Sequence, residues 1–329
     1  MLVDSFGRSI TYLRISLTDR CNLRCIYCMP AGGLEWVPQS EILTNDEIVQ
    51  IVQAAARLGI KKIRLTGGEP LIRPGVVDLV NEIASVPGIQ DIGLTTNGIL
   101  LGKMADSLAQ AGLKRVNVSL DTLKPERFSK ITRFGEFNQA WEGILAAEQA
   151  GLTPIKLNAV VIRGINDDEI LDLASLSLSH SWQIRFIEIM PIGNTQDWGE
   201  GYPAPSERYL SVQEMQARLA ILGLIPVKAA LDGGPARVFQ ITNAPGSIGF
   251  ISPLGEHFCQ NCNRLRLTAD GKLRACLVMP GEISLREAVH KGQSLEEYFV
   301  KAVAEKPEKH TLSAAIPAQT ERGMSQIGG

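Results

Sequence analysis

Six short β-rich runs recur along the first part of the chain: Tyr12–Leu17, Lys62–Thr66, Asp91–Thr95, Arg115–Ser119, Ile155–Ile162 and Gln183–Glu188. Helical patterns separate most of them. Thr44 and Glu47 form a capping-box signature ahead of an apolar run that ends at Leu58. Gly75–Ser85, Leu101–Ala111, Phe137–Ala150 and Asp167–Ser179 also read as helices. Such alternation predicts right-handed βαβ units and a parallel sheet. Six units predict an α/β fold, an incomplete (βα)6 barrel of the triosephosphate-isomerase type rather than the closed eightfold form.

The strands are unusual for that architecture. Parallel strands covered by helices are ordinarily almost continuously apolar. Here alternate positions are polar: Arg14 and Ser16, then Lys62, Arg64 and Thr66, then Asn117 and Ser119, then Lys156 and Asn158. Residues two apart on a strand share a face. Edge strands with one wet face are the plain reading. Cations recurring in strand after strand, Arg185 included, favour a polar substrate cavity, because an unpaired buried charge is costly.

After Gly193 the pattern changes. Residues 193–210 are rich in Pro and Gly, Ser211–Leu222 looks helical, and short β-like runs continue to Ile251. Further β-like runs follow at Arg264–Thr268 and Lys272–Ala275, with short helices near Leu285–Lys291 and Leu295–Lys306. The expected organisation is therefore a strand–helix part over 1–192, a C-terminal region over 193–306, and an extended tail over 307–329. Composition bounds the partners. Thirty-three basic residues against 35 acidic ones give a net charge of −2, which argues against a general nucleic-acid-binding surface. Met1–Ile10 has no secretory pattern, and the uncharged stretch Leu219–Val227 is too short for a membrane span. A cytoplasmic protein is expected.

The six cysteines fall in two groups: Cys21, Cys25 and Cys28 just beyond the first strand, and Cys259, Cys262 and Cys276 near the other end. In a reducing compartment such grouping favours metal or redox chemistry over disulfides. Three thiolates can hold three irons of a 4Fe-4S cluster and leave the fourth open. A structural zinc site ordinarily takes four ligands, and His257 is a candidate fourth. A redox-active Cys25-x2-Cys28 pair is a further reading. The second group alone also reads as zinc, one ligand short.

The run Cys21-Asn22-Leu23-Arg24-Cys25-Ile26-Tyr27-Cys28 resembles the cluster motif of the radical S-adenosylmethionine (SAM) enzymes. Gly67-Gly68-Glu69-Pro70, just after the second strand, resembles that superfamily's second motif; its glycines let a ligand approach the backbone. With the second cysteine group, Arg264 and Arg266 between its members, and the Gly328-Gly329 end, the chain resembles the GTP 3′,8-cyclases of molybdenum cofactor biosynthesis. The resemblance covers nearly the whole chain.

That resemblance implies two 4Fe-4S clusters, the first on Cys21, Cys25 and Cys28 and the second on Cys259, Cys262 and Cys276. It implies SAM contacts at Tyr27, Gly68, Ser119 and Met190. GTP contacts fall at Arg14, Arg64, Thr95, Lys156, Arg185, Arg264, Leu265 and Arg266, with Arg264, Arg266, Gly328 and Gly329 needed for catalysis. All the side chains so matched except Thr95 and Leu265 are cations, suiting a triphosphate that carries roughly four negative charges. The implied reaction is removal of ribose H3′ by a 5′-deoxyadenosyl radical, then attack of C3′ on guanine C8. The product is (8S)-3′,8-cyclo-7,8-dihydroguanosine 5′-triphosphate. Implied partners are an electron donor and the cyclic pyranopterin monophosphate synthase that receives the product; a homodimer is compatible with it. Two other readings are a radical SAM peptide-modifying enzyme with an auxiliary cluster and a non-catalytic zinc or iron–sulfur regulator. Arg185 and Met190 differ in parity, so their strand must end or bulge between them.

Overall fold

The computed structural model describes residues 1–192, 198, 201–204, 207–227, 234–256, 258–312 and 322–328. The chain begins with a small antiparallel ladder, β1 (Leu2–Val3) with β2 (Ser9–Ile10). The strand–helix alternation follows as β3 (Tyr12–Ser16), α1 (Asn45–Arg57), β4 (Lys62–Thr66), α2 (Val76–Ala84), β5 (Asp91–Thr96), α3 (Leu101–Gln110) and β6 (Arg115–Ser119). It continues through α4 (Pro125–Thr132), α5 (Phe137–Gln149), β7 (Lys156–Val161), α6 (Ile170–Ser179) and β8 (Gln183–Glu188). The capping box at Thr44 is formed: Glu47 N donates to Thr44 Oγ1 at 3.2 Å and Thr44 N to Glu47 Oε2 at 2.7 Å. Helix α4 had no distinct sequence signal. Its apolar face is narrow, with Phe128 and Ile131 buried, and Pro125 starts it at a position where no amide hydrogen is needed.

Beyond β8 come α7 (Val212–Arg218), β9 (Ile225–Val227), β10 (Arg237–Gln240), β11 (Ser247–Ile251), β12 (Arg264–Leu267), β13 (Lys272–Arg274), β14 (Ile283–Ser284), α8 (Leu285–His290) and α9 (Leu295–Ala304). Twelve strands form one sheet in the order β14-β13-β12-β3-β4-β5-β6-β7-β8-β11-β10-β9. The six strands β3 to β8 are parallel neighbours, and they are flanked on both sides by C-terminal strands. β12 pairs with β3 and β11 with β8, both parallel; the outer strands are antiparallel. The result is an α/β fold around a mostly parallel sheet.

Each strand divides its residues as its parity dictates. Leu13, Ile63, Leu94, Val116, Leu157, Phe186 and Leu265 are buried in one apolar core with the inner faces of the helices. Positions one residue out of step, among them Arg14, Arg64, Asn117, Lys156 and Arg185, line a cavity on the other face. β8 ends at Glu188, so Met190 escapes the strand's parity and also reaches that cavity.

Candidate active site

The cavity has a volume of about 350 Å³ and brings both cysteine triads together with cations from six different strands. Arg14 of β3 stands beside Arg64 of β4 on one side and Arg266 of β12 on the other. Across β4, Arg64 faces Gly93, where a Cβ would lie 2.4 Å from the guanidinium. The glycine makes the room. Arg64 Nη1 donates to Leu94 O at 3.0 Å and Asn117 Oδ1 at 3.3 Å, and its Nε donates to the Tyr12 hydroxyl at 3.2 Å. Arg185 Nε donates to Gln183 Oε1 at 2.6 Å.

So many like charges in a buried space disturb one another. Burial, then Arg185, Arg115 and Arg64, bring the Lys156 ammonium down to about 7. Burial and neighbouring arginines take Arg185 down to about 9, and Arg266 falls well below the usual arginine value. For the Tyr12 phenol burial acts upward, but Arg64 and Arg14 outweigh it and bring it to about 8. Such a site is built for an anion. Two buried acceptors on its wall, Thr95 Oγ1 and Asn158 Oδ1, have no hydrogen-bond partner among the described residues. Buried groups left so are expected to meet a ligand.

The first triad sits in the loop after β3. Leu23 N donates to Cys21 Sγ at 3.3 Å, and Cys28 N closes a turn onto Cys25 O at 2.9 Å. The end of α4 braces this loop, with Arg24 N on Thr132 O and Ile26 N on Ile131 O. The glycines of Gly67-Gly68-Glu69-Pro70 serve the same loop: a Cβ on Gly68 would lie 2.1 Å from Arg20 O. The Glu69 carboxylate accepts from Leu71 N at 3.0 Å, Thr96 Oγ1 at 2.7 Å and Asn97 N at 2.7 Å, tying the ends of β4 and β5 together. Burial holds it at about 7 despite those bonds. Tyr27 donates to Asp121 Oδ2 at 2.7 Å, and Val160 N donates to the other oxygen at 2.8 Å. Burial raises Asp121 to about 6. It also pushes the thiols up, Cys21 to about 11 and Cys28 to about 12, with Cys21 adding to it at Cys28.

The second triad lies across the cavity. Cys259 starts a short 3-10 turn, Cys262 ends it, and Cys276 follows β13. Burial raises Cys259 as it does the first-triad thiols, but Cys262 is shifted the other way. Burial acts upward on Cys262, but Arg264 and then Lys306 bring it to about 6. Backbone amides donate to these sulfurs, from His310 to Cys259 and from Arg264 to Cys262. None of the six cysteines is in a disulfide. Among the described residues no three Cys, His, Asp or Glu groups are gathered tightly enough for a single metal ion. In a mononuclear zinc site all ligands reach one ion, whereas in a four-iron cluster each thiolate binds its own iron. The sulfur donors and their amide partners fit such clusters.

The tail returns to this space. Arg322 grips Asp270 and Glu282 with two forked pairs, its Nη2 lying 2.8 Å from Asp270 Oδ2 and its Nε 2.7 Å from Glu282 Oε1. Residues Met324–Gln326 form a 3-10 turn, so this part of the tail is not wholly extended. Ser325 N donates to the Cys28 sulfur. Gly328 is buried with φ +67°, and Arg266 Nη1 donates to its carbonyl at 2.8 Å. Gly329 and His257 lie outside the described residues.

Of the sequence candidates, Tyr27, Gly68, Ser119 and Met190 line the cavity, as do Arg14, Arg64, Thr95, Lys156, Arg185, Arg264 and Arg266. Leu265 differs: its side chain is fully buried in the core on the opposite face, which leaves only its backbone toward the cavity. Sequence reasoning missed Tyr12, Glu69, Asp121 and Lys306. Tyr12 shares parity with Arg14 and was readable from it; the others show their roles only through distant partners.

The sequence matches the Radical SAM superfamily over residues 15–177 and the Molybdenum Cofactor Synthesis C family over residues 182–312. It is 49% identical to a GTP 3',8-cyclase of Pelotomaculum thermopropionicum, over 99% of both chains. It is 50% identical to one of Moorella thermoacetica, again over 99% of both. Among solved structures, Streptococcus suis SuiB bound to S-adenosylmethionine superposes with a TM-score of 0.60 at 14% identity, over 89% of this chain and 68% of that one. That likeness concerns the fold alone. With identity near one half along their whole length, the curated relatives decide the family: this chain belongs to the GTP 3′,8-cyclases of the radical SAM superfamily.

Proposed function

We propose that the chain converts GTP to (8S)-3′,8-cyclo-7,8-dihydroguanosine 5′-triphosphate, the first step of molybdenum cofactor biosynthesis. One observation carries the reading: two cysteine triads open onto the same cation-lined cavity. In this reading Cys21, Cys25 and Cys28 hold the first 4Fe-4S cluster and Cys259, Cys262 and Cys276 the second. The strands form an incomplete (βα)6 barrel over 1–192, with the second cluster in 193–306 and the tail in 307–329. When bound, the first cluster and SAM would supply one electron and the hydrogen-abstracting radical, and the second cluster would offer the guanine base a binding site beside Cys259, Cys262 and Cys276.

The chain's own residues do the rest. Tyr27, Gly68, Ser119 and Met190 seat SAM beside the first triad. Arg14, Arg64, Lys156 and Arg185 hold the triphosphate, and Thr95 offers its unpartnered hydroxyl to the nucleotide. Fixing both ends of GTP sets ribose C3′ against SAM and the guanine against the second triad, which turns the hydrogen transfer into a positioned, unimolecular event. Arg264 and Arg266 lie between triad and tail, where they steady charge on the base, and Arg266 holds Gly328. An electron donor and a cyclic pyranopterin monophosphate synthase act before and after this step. A cytoplasmic homodimer suits the reading. No helix among the described residues is long and apolar enough to cross a membrane.

Anaerobic incubation with SAM, reductant and GTP tests the assignment. Formation of 5′-deoxyadenosine together with the 3′,8-cyclised nucleotide supports it. Two zinc ions in place of two four-iron clusters, or SAM cleavage with no change in GTP, overturns it.

A further inference from the structure

Lys306 lies just beyond α9 with only 4% of its surface exposed, and it does not line the cavity. Its Nζ donates to Ala275 O at 2.7 Å, to Arg264 O at 2.9 Å and to Cys262 Sγ at 3.5 Å. Three acceptors require three N–H donors. A neutral amine has two, so this geometry belongs to the ammonium ion. The two carbonyls are the ones next to the triad in sequence, since Ala275 precedes Cys276 and Arg264 follows Cys262 by two residues. They hold the charge against the sulfur.

The other cations near this triad are placed differently. Arg8 reaches Cys259 O at 2.8 Å, but it is paired with Asp4 at 2.5 Å and bound to Pro307 O and Glu308 O. Arg264 also acts on Cys262, by its charge and by a side-chain hydrogen bond, but it and Arg266 face the cavity, where their charge is shared with whatever occupies it. Lys306 stands behind the sulfur, outside the cavity lining. Around the first triad the fully buried neighbours are instead carboxylates, Glu69 near Cys21 and Asp121 near Cys25, while the partly exposed Arg24 acts on Cys21 and Cys28.

We propose that Lys306 is a positioning residue that tunes the second cluster, its fixed ammonium donating to the Cys262 sulfur and raising that cluster's reduction potential. Reduction adds one electron and so one negative charge, which a buried cation in hydrogen-bond contact with a ligand sulfur stabilises. The proposal rests on assigning the second triad to a four-iron cluster.

Reconstituted full-length protein is titrated potentiometrically and followed by electron paramagnetic resonance, with iron counted in the same samples. Lys306→Met is expected to disfavour reduction of the second cluster about tenfold, about 59 mV for a one-electron couple. The first cluster should not move. Lys306→Arg is expected to restore most of the loss, which a merely structural lysine would not explain. Unchanged potentials in Lys306→Met with eight irons per chain would falsify the tuning role and leave the cluster assignment standing. Four irons per chain in the unaltered protein would overturn the assignment and the proposal with it. Should Lys306→Met lose its second cluster, the unaltered protein decides the matter. With 15N-lysine incorporated, its reduced second cluster should show a lysine nitrogen hyperfine coupling, and absence of that coupling rejects the contact.

Discussion

Lys156 carries the consequence of crowding eight cations into one space. In the ligand-free protein burial and its neighbours hold it at about 7, against an ordinary 10.5. The unfolded chain therefore binds more protons than the folded one between those values, and stability should rise with pH across that window. A bound triphosphate reverses the local field and returns the proton. GTP binding at pH 8 is therefore expected to take up protons, and its affinity to fall as pH rises above about 7. Calorimetry in buffers of different ionisation enthalpy reads this uptake. Lys156→Met should remove much of it, and Tyr12→Phe a further part, because the Tyr12 phenol at about 8 also regains its proton beside phosphate. Equal uptake in Lys156→Met and the unaltered protein contradicts this account. Arg14→Ala, Arg64→Ala and Lys156→Ala should each weaken GTP binding by about 1–3 kcal/mol, the range for charge-assisted hydrogen bonds. GTP should protect the protein against heat better than guanosine does, and equal protection by both would show that these cations do not read phosphate.

At the scale of the strand, a glycine sets where a cation stands. Gly93 on β5 has no tight turn to make; what it lacks is a Cβ that would sit 2.4 Å from the Arg64 guanidinium. Gly93→Ala should leave the fold and the iron content intact while pushing Arg64 off Leu94 O and Asn117. GTP affinity is then expected to fall roughly tenfold, about 1.4 kcal/mol, with SAM cleavage retained. Full affinity in Gly93→Ala would mean that Arg64 has another productive position. This pairing also marks what sequence can and cannot say. The parity of Arg14, Arg64, Lys156 and Arg185 was legible, because period-two alternation is a local property of a strand. The partner strand of Gly93 was not, since register across a parallel sheet is decided by packing of distant elements. Helix α4 was illegible for a related reason: its narrow apolar face is completed by the cysteine loop that it braces. The motif glycines Gly67 and Gly68 read as room for a ligand; both line the cavity, and the further room they make for the chain's own Thr18, Asp19 and Arg20 was not legible.

Taken as a whole, the molecule sets two cysteine triads around one space, with buried carboxylates beside the first and Arg264 and Lys306 beside Cys262 of the second. The division should be visible chemically. Serine at Cys21, Cys25 or Cys28 is expected to abolish reductive SAM cleavage, because the hydroxyl is a poor iron ligand. Serine at Cys259, Cys262 or Cys276 should leave part of that cleavage while stopping cyclisation. Normal cyclisation in the latter variants would remove the second triad from the substrate site. Both outcomes are read from 5′-deoxyadenosine and cyclised nucleotide in a single anaerobic reaction.

The tail joins these two halves. Chain ends ordinarily fray, yet this one is held at several points: Arg322 on Asp270 and Glu282, Ser325 N on Cys28, and the Gly328 carbonyl on Arg266. Gly328 adopts φ +67°, and a Cβ there would stand 2.8 Å from Thr66 Cγ2 and 3.2 Å from Ser16 Cβ. Only glycine fits without strain, which for another residue costs roughly 1–2 kcal/mol from the backbone alone. Because the tail touches a first-triad cysteine and a second-triad arginine, its displacement should disturb the coupling of the two sites rather than either site alone. Deleting Gly328 and Gly329 is therefore expected to preserve iron content and most SAM cleavage while cutting cyclised product at least tenfold. Gly328→Ala should do the same more mildly, and Arg322→Ala should approach the deletion by freeing the anchor. The ratio of cyclised nucleotide to 5′-deoxyadenosine separates this from general damage, since a misfolded protein loses both. A ratio unchanged in all three variants would return the tail to the ordinary class of dispensable ends.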